Sequence, residues 1–224
     1  MLTIDQATTM LSMQGAMNSK VDPNWVSARH PYLRAIVIEG AEAIEHHGWK
    51  WWKKQNKDLP QLQMELIDIW HFILSEILLN NDGNEGASLA QLQELLREAE
   101  LHNLHERKVS FDSKDYFLNA MDLIQKLELL IAVSVSKRIE LALFESIMID
   151  CEINWTELYC QYVGKNVLNF FRQDHGYKEG TYKKVWGGRE DNEYLVEIMG
   201  TLSPNASTFQ DEIYSALKQH YPSQ

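Results

Sequence analysis

Apolar positions recur with a helical period along most of this chain. Thr3 ahead of Ile4, Asp5 and Gln6 resembles an N-cap opening an amphipathic run to about Met17. The following stretch, VDPNWVSARHPYLR, carries Pro23 and Pro31 and reads as a connection. Helical periodicity resumes near Tyr32 and continues to about His47, with Gly48 as terminator. Beyond the polar, aromatic GWKWWKKQNKD, Pro60 fits the first turn of a long helix reaching about Asn80. NNDGNEG, residues 80 to 86, breaks the pattern, and SLAQLQELLREAELHNLHERK then supplies strong helix formers with i, i+4 charge pairs. Asp112 or Ser113 is a candidate cap for a helical stretch through about Ile149, interrupted near Val133 to Ser136. Residues 152 to 173 predict a further helix ending near Asp174 and Gly176, with short helices over 190 to 199 and 208 to 219. No run of alternating residues between regular turn signals stands out. The expected fold class is therefore all-α, a helical bundle forming a single domain over residues 1–224.

Composition narrows the class. The chain has 224 residues, 45% hydrophobic and 24% charged, enough for one full core. A net charge of -11 argues against a general nucleic-acid surface, although a local basic cluster could still hold an anionic ligand. The two cysteines, Cys151 and Cys160, would point to nearly opposite faces of a helix, which argues against a disulfide and a CxxC metal site. No apolar run approaches the ~20 residues of a membrane span, and the N-terminal MLTIDQATTML lacks a basic region followed by an apolar one. A cytoplasmic protein is the expectation.

Four acids sit where the apolar pattern would not place them. Glu39 and Glu42 lie within AIVIEGAEAIE, and Glu65 and Asp68 within MELIDIWHFIL, each pair spaced i, i+3 on one helix face. Unpaired acids are costly on inward faces. If the two helices pack antiparallel, the four carboxylates converge, and such hard oxygen ligands suit Mg²⁺ or Mn²⁺. A solvated acidic face is the competing reading, since single ExxE or ExxD pairs are common on helix surfaces. A di-iron site is less well matched, because neither pair is an ExxH. Glu45, His46 and His47 are expected to face solvent near the helix end.

A second dense region is KNVLNFFRQDHGYKEGTYKKVWGGREDN, residues 165 to 192. Lys165, Asn169 and Arg172 fall along one helical stripe, followed by Lys178, Lys183, Lys184 and Arg189 among four glycines. This suits a phosphate clamp, with Arg binding two oxygens and Lys acting as a point charge. A basic surface loop, or a dimer contact, is the alternative. No GxxxxGK[ST] loop is present.

Taken together, ExxE, 22 intervening residues (43 to 64) and ExxD resemble the all-α nucleoside triphosphate pyrophosphatase superfamily. With Gln14 and Asn18 in MLSMQGAMN, and with EGAEAIE, WKWWK, ELIDIWHF and the basic segment, the chain looks like the dimeric dUTPases over about residues 3 to 80 and 155 to 200. That resemblance implies a homodimer that hydrolyses dUTP, and commonly dUDP, to dUMP by attack at the β-phosphorus. It implies Mg²⁺ on Glu39, Glu42, Glu65 and Asp68, with Asn169 adding a metal or phosphate contact. Lys165, Arg172, Lys178 and Tyr182, with Lys184, would hold phosphates, and Gln14, Asn18, Trp51, His71 and Phe72 would line the deoxyuridine pocket. A relative acting on dCTP or several dNTPs is the alternative within the class. A non-catalytic helical nucleotide-binding or scaffold protein is the alternative outside it.

Overall fold

The computed structural model describes residues 2–104, 107–202 and 208–222. Thr3 and Gln6 form a reciprocal capping box that starts α1 (Ile4–Val21). One helical turn, α2 (Trp25–Ala28), interrupts the connection to α3 (Tyr32–His47), which Gly48 ends at φ 88°. Asp58 caps α4 (Leu59–Asn80), and Pro60 occupies its first turn, where a missing N–H costs nothing. α5 follows (Glu85–Leu104); residues 105–106, part of the helix expected there, lie outside the described residues.

The stretch after α5 departs from expectation. Asp112 and Ser113 do not cap a helix. They sit at φ 49° and 60° as the two central residues of a hairpin joining β1 (Lys108–Phe111) to β2 (Lys114–Phe117), with Phe111 opposite Lys114. Two consecutive positive φ values are what a tight hairpin requires and what a helix start forbids. One 3₁₀ turn (Leu118–Ala120) follows the hairpin, and α-helix returns at α6 (Leu123–Val135), opened by an Asp122–Gln125 capping box. The expected interruption near Val133 to Ser136 is real, and α7 (Leu141–Asp150) follows it.

Asn154 and Glu157 cap α8 (Trp155–Asp174). A second small hairpin, β3 (Val185–Trp186) and β4 (Arg189–Glu190), leads into α9 (Asp191–Thr201), and α10 (Phe209–His220) closes the described chain. Among the described residues there are ten α-helices and two small sheets, an all-α fold.

α3 and α4 make the most extensive helix pairing, and α6 covers the other side of α3. Gly40 permits that approach: a Cβ there would lie 2.9 Å from a side-chain carbon of Ile131. α1 packs on α8 and also on α4 and α5. α4 is the central strut, with Leu62, Leu66, Ile69, Trp70, Ile73 and Ile77 buried and Trp70 stacked on Phe144 at 5.4 Å. Cys151 and Cys160 are both free thiols. No described helix is long and apolar enough to cross a membrane.

Candidate active site

The pairing of α3 with α4 brings the acidic pairs together. Glu39, Glu42 and Glu65 each offer a carboxylate oxygen, and all three oxygens lie within 4.8 Å of one another. Glu65 is buried, Glu39 partly buried and Glu42 exposed. Glu39 and Glu65 share a side-chain hydrogen bond. Burial first, then the charge of Asp68, pushes both of their pKa values well up from the usual carboxylate range. These are acids held together at a cost that a cation would remove. Hard oxygen donors this close are also the set that Mg²⁺ accepts, with ligand oxygens at about 2.0–2.1 Å from the ion. The residues therefore fit a divalent metal.

Asp68 is drawn elsewhere. Its Oδ2 accepts from Lys165 Nζ at 2.9 Å, and Lys165 is itself buried. The expected set of four thus divides into a cluster of three and one carboxylate already in an ion pair. His46 also differs from expectation: it turns inward, its Nε2 3.3 Å from Glu65 Oε1. Glu45 is exposed as expected, accepting from Trp49 and Lys50.

The cationic stripe of α8 is equally committed. Arg172 donates to Asp191 through two bonds, Nε to Oδ2 at 2.8 Å and Nη2 to Oδ1 at 2.9 Å, and its Nη1 reaches Asn169 Oδ1 at 3.2 Å. The Tyr182 hydroxyl donates to the same Asp191 carboxylate at 2.8 Å, and Asn192 Oδ1 lies 3.3 Å from Lys165 Nζ. Asp191 is fully buried. Burial alone would raise its pKa, but the Arg172 bonds, with the Tyr182 hydroxyl, outweigh that and hold it below the ordinary value. Sequence reasoning missed Asp191 and Asn192. The available signal was the acid–amide pair ending an otherwise basic stretch.

Beside the carboxylates lies a cavity of about 270 Å³, lined by Gln14, Asn18, His71 and Phe72 together with Asp68 and Asn169. Tyr32 and Ser75 also contribute to its wall. α1 supplies Gln14 and Asn18 one turn apart, and α4 supplies Asp68, His71, Phe72 and Ser75 on its facing side. His71 Nδ1 is 2.8 Å from Ile67 O, an atom that can only accept, so the ring proton sits on Nδ1. Burial pulls its pKa down to about 4, leaving a neutral ring at pH 7 whose Nε2 is a free acceptor. Asn18 Nδ2 is likewise buried without a hydrogen-bond partner.

Two expected site residues, Trp51 and Lys184, stand apart from this assembly. Trp51 is 86% exposed, edge-on to Trp52, and does not line the cavity. Its aromatic cluster belongs to the α3–α4 connection, where no helix presses it inward. Lys184 pairs with Glu190 in solvent. Lys178, also exposed, stays at the cavity's edge, donating at 2.9 Å to the carbonyl of Val21, which lines the cavity.

An all-α bundle carrying a carboxylate cluster beside a nucleoside-sized cavity and guarded cations defines a nucleotide-processing class of protein. The family comparison agrees with that outline. The model of the dUTPase family matches residues 6–177, and the chain belongs to that family, the all-α dimeric dUTPases. It is accordingly a hydrolase acting on nucleoside triphosphates. No curated protein matches the chain. Tyr182, Asp191 and Asn192 lie beyond the matched range, so the Asp191 partner of Arg172 and the Asn192 partner of Lys165 come from a part of the chain that the family model does not cover, whereas Asp68 and Asn169 lie within it.

Proposed function

We propose that this protein hydrolyses dUTP, and also dUDP, to dUMP in a Mg²⁺-dependent reaction, releasing pyrophosphate from dUTP. The observation that carries the reading is Asp68: it lines the cavity, adds its charge to the carboxylate cluster, and holds Lys165. One residue thus joins the three features a nucleoside triphosphate needs, namely a base pocket, a cation site and positive charge.

Glu39, Glu42 and Glu65 would hold the metal, with Asp68 at its edge; Mn²⁺ suits the same oxygens. Bound there, a divalent ion would neutralise phosphate charge and lower the pKa of a coordinated water. Glu42, the exposed member of the cluster, is the carboxylate with room to accept the proton of the attacking water. The water oxygen would form a bond to the β-phosphorus while the bond from that phosphorus to the oxygen bridging it to the α-phosphate breaks, so that dUMP departs and the water oxygen ends in pyrophosphate. Lys165, Arg172 and Asn169 stabilise charge on the phosphate chain, Arg172 through the face that Asp191 does not occupy.

The base preference follows from donor and acceptor placement. Uracil shows an N–H at position 3 beside a carbonyl at position 4, whereas cytosine reverses both. His71 Nε2 as acceptor and Asn18 Nδ2 as donor complement uracil, and a site built to hydrogen-bond rejects a mismatched partner strongly. The protein is further proposed to act as a cytoplasmic homodimer.

Steady-state hydrolysis of dUTP, dCTP, dTTP and UTP with Mg²⁺ or EDTA tests this. dUTP is expected to be turned over with the highest kcat/KM, and only with metal. Turnover of no nucleotide sinks the reading; a preference for dCTP retains the chemistry and overturns the base assignment.

A further inference from the structure

Behind the cavity wall stands a residue that cannot touch substrate yet contacts both base-facing elements. Tyr162 of α8 is fully buried and does not line the cavity. Its ring lies against that of His71, with centroids 4.3 Å apart. Its hydroxyl lies 2.9 Å from Gln14 Oε1 and 2.9 Å from Met10 O.

A chain of polar groups continues from there. Gln14 Nε2 donates to Asn18 Oδ1 at 3.0 Å and to Ser75 Oγ at 2.9 Å, and Ser75 donates to Asn18 Oδ1 at 3.1 Å. Because both bonds arrive at the oxygen of Asn18, its nitrogen is left over as the group without a partner.

This chain is self-consistent in two polarities. A phenol has one proton. Given to Gln14 Oε1, it forces the Gln14 nitrogen toward Asn18 and leaves the Asn18 nitrogen as a donor for the base. Given instead to Met10 O, it turns the phenol oxygen into an acceptor for the Gln14 nitrogen. Both amides then reverse, and Asn18 presents an oxygen. Two neighbours favour the first polarity. Met10 O belongs to α1, where the helical ladder already supplies the Gln14 N–H. Asn166 Nδ2, 3.4 Å away, faces the phenol oxygen as a donor and occupies its accepting side.

We propose that Tyr162 is a positioning residue for base selection: the direction in which its single proton points sets the amide polarity of Gln14 and Asn18, and so makes the pocket complementary to a uracil-type edge and not to a cytosine-type edge. The inference rests on the dUTP reading above and deepens it.

The test is Tyr162→Phe, which keeps the ring against His71 and removes only the hydroxyl. dUTP and dCTP hydrolysis would be measured for wild type and variant, alongside calorimetric binding of dUMP and dCMP. The expected result is a fall of about tenfold in the dUTP:dCTP ratio of kcat/KM, seen in KM and in the monophosphate affinities, with kcat for dUTP nearly kept. Ser75→Ala, which loosens the same chain one step further along, is expected to lower the ratio about threefold. A merely structural role would depress both substrates in proportion; an unchanged ratio in both variants, with wild type preferring uracil, overturns the inference and leaves the dUTP reading intact. If wild type discriminates against neither monophosphate, the base-pocket reading falls and this inference with it.

Discussion

The acidic face between α3 and α4 and the basic stripe on α8 look symmetric in sequence and are opposite in state. Glu39, Glu42 and Glu65 face one another, the two more buried of them with raised proton affinity, and His46 is the basic side chain set directly against them. Lys165 and Arg172 are each matched, by Asp68 and Asn192 and by Asp191 and Asn169. One half is arranged to receive charge from outside; the other is held in place by charge from within. A ligand-ready site, then, need not be uniformly unsatisfied. Fixing the cations in advance removes rotamer entropy that binding would otherwise have to overcome, while the acids, with only His46 set against Glu65, are left crowded on one another.

The largest break in this contrast should come from the acids. Glu65→Ala or Glu42→Ala is expected to lower kcat/KM for dUTP about a thousandfold, corresponding to ~4 kcal/mol of transition-state stabilisation. Activity within tenfold of wild type would remove the residue from the metal set. On the other side, Asp191→Ala leaves the largely buried Arg172 without its partner, and is expected to cost about 3 kcal/mol in urea unfolding. A loss below about 1 kcal/mol would mean that the Arg172–Asp191 pair is not what orders the stripe.

The pH dependence sharpens the same comparison. Glu39 and Glu65 hold protons more tightly folded than unfolded, so without metal their contribution falls as pH rises from about 4.5 toward their raised folded values. Asp191 has the opposite sign: its depressed pKa adds stability above the ordinary Asp value, lost as pH falls through the folded one. Melting scans with EDTA and with Mg²⁺ should therefore show a larger metal-induced rise in Tm at about pH 8 than at about pH 5, by several degrees. An equal rise at both would argue that the metal does not relieve these acids. The smallest effect is expected from Lys184→Ala. It breaks an exposed pair with Glu190 worth under about 1 kcal/mol and should leave KM for dUTP within roughly twofold.

Much of the fold and part of the site are legible in the sequence. Thr3 and Pro60 announce helix starts by local chemistry alone, and the i, i+3 acids are placed on one face by helical period. Residues 108 to 117 are not legible in the same way, because Asp and Ser serve equally as helix caps and hairpin turns, and only pairing with a second strand decides between them. Trp51 escapes too, because an aromatic residue says nothing about burial until its neighbours are known.

What the sequence determined by itself is the helical class and the two charge groups, since period and capping are properties of a few adjacent residues. What the tertiary structure decided is how those charges are used. That Asp68 belongs to Lys165, that Asp191 binds Arg172, and that Tyr162 of α8 reaches Gln14 of α1 are contacts across 97, 19 and 148 positions. No local pattern encodes such pairings, because they exist only once burial has brought distant helices together and every polar group has had to find a partner.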